Sequence, residues 1–191
     1  MDRHYFRRDH GALFLICLCA LLLTAGTALA QTGRDQEAGS MEKAWQFRHL
    51  GVVVKDLEKA VEYYRSLGIA KFASESVIDS SRIADFQTYG KTPVPSVRDR
   101  LMNAQIGPIT YEFIQPTGDT PNRRFLDSHG EGISHVCFAV DNVQQEVAKL
   151  VARGATVVMT GMGGRFAYVD TGKVGNVLIE LVGTTAPPKG K

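Results

Sequence analysis

HVCFAVDNVQQEVAKLVARGA, residues 135 to 155, decides the fold, because the chain has already written the same pattern as HLGVVVKDLEKAVEYYRSLGI at residues 49 to 69. The two stretches align without a gap at an offset of 86. His49 falls on His135, Asp56 on Asn142, Leu57 on Val143, Val61 on Val147 and Gly68 on Gly154. Each copy reads as a buried strand, an Asp/Asn turn able to cap a helix, an amphipathic helix of about ten residues and a terminating glycine. Repetition at a fixed spacing marks a duplicated structural unit.

Strand-like stretches follow each helix: FASESVI, IADFQTYG and ITYEFIQP in the first half, TVVMTG, RFAYVDT and NVLIELVG in the second. The fold class expected is α+β, two tandem βαβββ modules at residues 45–116 and 131–183. Laying ITYEFI over VLIELV places Glu112 on Glu180 at an offset of 68, so the first half carries 18 extra residues. The Pro-bearing run GKTPVPSVRDR, residues 90–100, is the expected home of that excess and a candidate lid or substrate loop. GMGGR, residues 161–165, precedes a strand and reads as a hairpin turn rather than a phosphate loop.

The ends differ from the middle. Arg3, Arg7 and Arg8 precede the apolar run ALFLICLCALLL, and small residues at Ala28 and Ala30 follow. This is the pattern of a secretory signal, residues 1–30, cleaved near Ala30, with an apolar run too short for the roughly 20 residues of a stable membrane anchor. Export to the periplasm or beyond is therefore expected. Residues 31–44 read as a linker and residues 184–191 as a frayed tail. Cleavage would leave Cys137 as the sole cysteine of the mature chain, without an intrachain disulfide.

The 191 residues are 44% hydrophobic and 22% charged, ordinary for a globular protein, and a formal net charge of +2 without a basic, aromatic-laced patch argues against a nucleic-acid partner. The chain has no HExxH, CxxC pair, GxSxG or GxGxxG opening a helix. What it does repeat is chemistry. In both halves a His opens the first strand and a Glu sits within the apolar last strand. A carboxylate in such surroundings is costly to desolvate unless paired or bound to a cation. Two imidazoles and two carboxylates make a mixed N/O set suited to one divalent metal ion, with Zn, Co, Ni, Mn and Fe all admissible.

These residues resemble the vicinal oxygen chelate (glyoxalase/bleomycin resistance/dioxygenase) superfamily. FLDSHGEGISHVCFAVDN, GNVLIELVG and EFIQPTGDTPNRRFL are most similar to its methylmalonyl-CoA epimerase and glyoxalase branch. The resemblance implies His49, Glu112, His135 and Glu180 as metal ligands, with Glu112 standing where epimerases often have glutamine and Ser134 where they often have a second histidine. It implies a metal-dependent isomerase, epimerase or lyase that removes a proton next to a carbonyl, with Glu180 as first-choice base and Glu112 able to share the role. A second catalytic carboxylate falls near Asp79, with Glu75 the alternative. An Fe(II) extradiol-type dioxygenase and a small-molecule binding or resistance protein are the competing readings. The expected partner is a small oxygen-bearing carbonyl compound, and a homodimer is implied. Arg82, Arg98, Arg100, Arg123 and Arg124 are candidates for an anionic group on that substrate. Cys137 shares a strand face with His135 and reads chiefly as a buried thiol. Phe166 and Tyr168 flank Ala167 on a strand, and one of its two faces belongs to the core.

Overall fold

The computed structural model describes residues 45–93, 95–172 and 175–184. The expected signal, the linker and all of the expected tail except Thr184 lie outside the described residues. Thr184 itself is tied down, its N–H donating to the Val140 carbonyl at 3.0 Å and its hydroxyl to Asp141 at 2.9 Å.

Among the described residues there are ten strands and three α-helices. The first half runs β1 (Gln46–Val53), α1 (Leu57–Ser66), β2 (Ala70–Phe72), β3 (Ser76–Asp79), β4 (Gln87–Thr88), β5 (Arg98–Ile106) and β6 (Ile109–Gln115). A connecting helix α2 (Pro121–His129) leads to β7 (Gly132–Val140), α3 (Val143–Ala152), β8 (Thr156–Gly161), β9 (Phe166–Asp170) and β10 (Leu178–Gly183). The repeat is realised as read. Asp56 caps α1 by accepting from the Lys59 N–H at 3.0 Å, and Asn142 caps α3 by accepting from Gln145 at 2.9 Å. Gly68 and Gly154 follow the two helices with φ of 68° and 91°, a backbone region that favours glycine.

The strands form one sheet in the order β2-β5-β6-β1-β7-β10-β9-β8-β4, with β3 also pairing β5. The halves meet at β1 and β7, which pair antiparallel, while β6 and β10 run parallel to them on either side. One face is covered by helices: α1 packs Leu57 and Val61 on Val52, Val54 and Phe113, and α3 packs Val143 on Val140, Ala167 and Leu181. The residues alternating with these point to the other face. Two tandem βαβββ modules of an α+β protein account for this arrangement, with β2 and β3 together forming one interrupted strand against β5.

The first half departs from the sequence reading in one segment. IADFQTYG is not a module strand: it leaves the short 3₁₀ turn at Ser80–Arg82, has left-handed backbone at Asp85 and Tyr89, and holds only the two residues of β4. The module strand is β5, hidden because Arg98, Asp99 and Arg100 interrupt its apolar pattern. The extra segment therefore occupies residues 80–97, and Arg98 to Arg100 lie in β5 instead. Nor does it hang free as a lid. β4 pairs with β8 of the other half, and the buried Phe86 and Val97 pack with Val158, Met159, Tyr168 and Leu178. GMGGR makes the expected hairpin, with Met162, Gly163 and Gly164 at positive φ between β8 and β9.

Candidate metal centre

Four consecutive strands of the sheet, β6, β1, β7 and β10, each present one polar side chain to the helix-free face: Glu112, His49, His135 and Glu180. His49 Nε2 stands 3.1 Å from Glu180 Oε2 and 3.5 Å from Glu112 Oε2. His135 Nε2 is 3.4 Å from the same Glu180 oxygen and 4.0 Å from that of Glu112. Metal–ligand bonds of about 2.1 Å in a tetrahedron place the ligand atoms about 3.4 Å apart, close to these His–Glu separations, and the ligand atoms of His49, Glu112 and His135 all lie within 4.8 Å of one another. The donor set fits as well, since two carboxylates on neutral imidazoles match the ion's charge.

The electrostatics of the bare site show what a cation would relieve. Burial pushes the Glu112 carboxyl up, and the Glu180 charge adds to this against the pull of His49. Burial works against the Glu180 charge too, but His135 and His49 beside it outweigh this and hold that carboxyl well below the usual range. Burial draws His49 down, yet its hydrogen bond to Glu180 and the charges of both carboxylates leave it raised. The access side is the first half: the His49, Glu112 and Glu180 side chains are 17%, 13% and 11% exposed, whereas His135 is fully enclosed.

Local backbone irregularities aim the two histidines. The β1–β7 register slips at Arg48, just before His49, and again at Ser134, just before His135. A bulged residue re-aims its neighbour, and here the device is duplicated at the same place in each repeat. Gly51 lies opposite His135, and a Cβ there would come within 1.7 Å of the imidazole Cε1. Only glycine leaves room for that ring. The matching position in the second half is Cys137, opposite His49 and beside Glu180. Cys137 is buried, and its sulfur lies within 4.8 Å of ligand atoms of His49 and Glu180. Burial and the Glu180 charge keep the thiol protonated far above its ordinary range, so it offers no thiolate to an ion.

Other candidates are placed elsewhere. Asp79 does not join the converging ligand atoms; its carboxylate accepts from the Ser81 N–H at 3.0 Å and hydroxyl at 2.6 Å and lies 3.5 Å from Arg98. The Ser81 hydrogen bonds hold it below the usual carboxylate range. Glu75 pairs with Arg100 at 2.7 Å. The five arginines considered for an anionic substrate are all engaged: Arg82 and Arg98 with Asp79, Arg100 with Glu58 and Glu75, Arg123 with Asp127, and Arg124 with Asp119.

Residues that sequence reasoning missed fill their place. Arg48 is exposed on the bulge, and its charge acts on both His49 and Cys137. Asn103 is the cross-strand neighbour of Glu112, and its buried Oδ1 has no partner among the described residues. Tyr168 is the cross-strand neighbour of Glu180, enclosed, with its hydroxyl 3.3 Å from His135 Nε2. The 86-residue offset is the signal that could have singled out these positions, since Gly51 aligns with Cys137 and Arg48 with Ser134.

Comparison with known proteins agrees with this architecture. Residues 48–169 match the model of the Glyoxalase/Bleomycin resistance protein/Dioxygenase superfamily. Mitochondrial methylmalonyl-CoA epimerase of Mus musculus is 30% identical over 162 residues, 76% of this chain and 77% of that protein. Its Homo sapiens counterpart is 26% identical over 154 residues, 77% of this chain and 78% of that protein. Among solved structures, methylmalonyl-CoA epimerase from Mycobacterium tuberculosis shares the fold with a TM-score of 0.52 at 21% identity, covering 74% of this chain and 89% of its own. A hypothetical protein from Bacillus halodurans does so at 0.52 and 17% identity, covering 77% of this chain and 99% of its own. With two βαβββ modules, their pairing through β1 and β7, and a family match that runs from β1 into β9, the chain belongs to the Glyoxalase/Bleomycin resistance protein/Dioxygenase superfamily.

Proposed function

We propose that this protein is a metal-dependent epimerase that moves the α-proton of a 2-substituted acyl thioester of the methylmalonyl-CoA kind, with His49, Glu112, His135 and Glu180 holding one divalent cation. The observation that carries the reading is the convergence of two imidazoles and two carboxylates, Glu180 buried and Glu112 partly so, from equivalent strands of the two halves, with each imidazole nitrogen within 4.0 Å of both carboxylates. The epimerases among the relatives supply the substrate class.

When bound, the cation would draw negative charge from the substrate's carbonyl oxygen as the α-proton leaves. Glu180 is assigned the removal of that proton, and Glu112, its counterpart across the site, the return. Burial of the carboxylates beneath the sheet face limits water at the reacting carbon, and the opening beside His49 admits the substrate. Arg48 at that opening attracts an anionic substrate, and the unpartnered Asn103 Oδ1 is positioned to accept a hydrogen bond from it.

The test is solvent deuterium uptake at C2 of methylmalonyl-CoA by purified protein with and without added Co²⁺ or Zn²⁺. Uptake that requires the ion and disappears in Glu180→Gln is expected. Oxygen consumption with a catechol in place of deuterium uptake would point to a dioxygenase, and tight ligand binding without turnover to a sequestering protein. Export through residues 1–30 and assembly as a homodimer belong to the same proposal, tested by reporter fusion and by light scattering.

A further inference from the structure

His135 is ringed by hydrogen bonds that neither the ligand set nor the proton transfer requires. Its Nδ1 lies 3.0 Å from Ser134 Oγ, and Ser134 Oγ lies 3.0 Å from Asn122 Oδ1 and 3.4 Å from the Gly51 carbonyl. On the other side of the ring, Nε2 lies 3.3 Å from the Tyr168 hydroxyl, which also hydrogen-bonds the Asn122 side chain. All four residues are buried: Ser134 and His135 at 0% exposure, Asn122 and Tyr168 at 3%.

Donor counting fixes the protons. Asn122 Oδ1 and the Gly51 carbonyl are acceptors only, so the single Ser134 hydroxyl proton goes to one of them. Ser134 must then accept at Nδ1, which places the imidazole proton on Nδ1 and leaves the lone pair on Nε2, the atom facing Glu112 and Glu180. With Oδ1 turned to Ser134, the Asn122 amide N–H faces Tyr168, whose own proton is left to donate to Nε2. The geometry is available because Ser134 is the bulged residue of β7 and because α2, which has no counterpart in the repeat, carries Asn122.

We infer that Ser134, Asn122 and Tyr168 are positioning residues that hold His135 in the Nδ1–H form with Nε2 presented to the cation. Tyr168 occupies the Nε2 lone pair until the ion displaces it. The inference rests on the metal-binding reading above. Hydrogen-bond partners of a ligating histidine set its tautomer and its affinity for the ion.

Two measurements on the purified protein test it. Long-range ¹H–¹⁵N correlation of the metal-free protein in mildly alkaline buffer should show His135 as the Nδ1–H tautomer in the wild type and in Ser134→Thr, and as a tautomer mixture in Ser134→Ala. Competition titration with Co²⁺ and Zn²⁺ should show affinity reduced about ten- to a hundredfold in Ser134→Ala and in Asn122→Leu. Tyr168→Phe should retain or exceed wild-type affinity, because it removes a competitor for Nε2. An Nε2–H tautomer in the wild type, or unchanged affinity in both Ser134→Ala and Asn122→Leu, would overturn the chain of contacts. A wild type with the Nδ1–H tautomer that takes up neither ion would instead overturn the metal reading, and with it the purpose assigned to these residues.

Discussion

Positions 51 and 137 are the same place in the two halves, yet one holds glycine and the other cysteine. Each sits opposite the histidine of the other half and beside the glutamate of its own. At 51 the imidazole of His135 fills the space a side chain would need; at 137 a buried thiol fills it, within 4.8 Å of a ligand atom of His49. The bulged positions differ in the same sense, with exposed Arg48 before His49 and enclosed Ser134, tied to Asn122, before His135. Duplication supplies the four polar groups in symmetrical places, while divergence makes the second half the anchor and the first half the entrance.

That contrast breaks most sharply at Gly51. Gly51→Ala should abolish measurable cation uptake and cost about 3 kcal/mol of stability, because a clash of 1.7 Å with an enclosed ring cannot be relieved without moving His135. Equilibrium unfolding beside a Co²⁺ titration checks both. The sister change Cys137→Ala should cost only about 1 kcal/mol and leave cation affinity in place. Equal losses at the two positions would erase the distinction drawn between them.

The anchoring helix α2 can be probed through pH. Asp99 is buried and accepts from the Thr117 N–H at 2.8 Å and from the Thr120 hydroxyl, so it fastens the turn that starts α2 and places Asn122. Burial raises its carboxyl to about 6 from an ordinary 3.8. Between those values the folded chain binds more protons than the unfolded one, so the stability conferred is full below the lower value and lost as pH rises through the upper. The loss is on the order of 3 kcal/mol. Asp99→Asn should flatten that decline in a series of melts across pH, and a parallel decline in the variant would assign it to another group.

Adding the ion sharpens the comparison from the ligand's side. At a hundredfold excess of free Zn²⁺ over its dissociation constant the protein should gain about 2.7 kcal/mol, seen as a raised melting temperature that a chelator reverses. The smallest effect belongs to the entrance. Arg48→Gln should raise KM for an anionic thioester roughly tenfold at low salt with kcat unchanged, a difference that fades as ionic strength increases.

The repeat, its caps, the α+β class and the four converging residues were legible because each depends on a local pattern that occurs twice. Residue 99 shows why β5 was not: a buried acid satisfied by a distant loop looks, in sequence, like a solvated charge. The pairing of the arginines was hidden for a related cause, since nothing in the order of residues says that Arg100 meets Glu58 and Glu75 across the fold. Tyr168 and Asn103 reach the site through strand register, and the register depends on hairpin lengths that differ between the halves.

The extra segment of the first half bears on assembly. Its Tyr89 N–H donates to the Val158 carbonyl at 2.8 Å, Met162 donates back to Ala84 at 2.8 Å, and Gln87 and Thr88 pair with Thr160 and Met159. The outer rim of β8 is thereby spoken for within one molecule. Among the described strands the sheet therefore ends in unequal edges, the two residues of β4 on one side and the longer β2 and β3 on the other, so the two ends of the sheet are not equivalent as places for a second copy to pair.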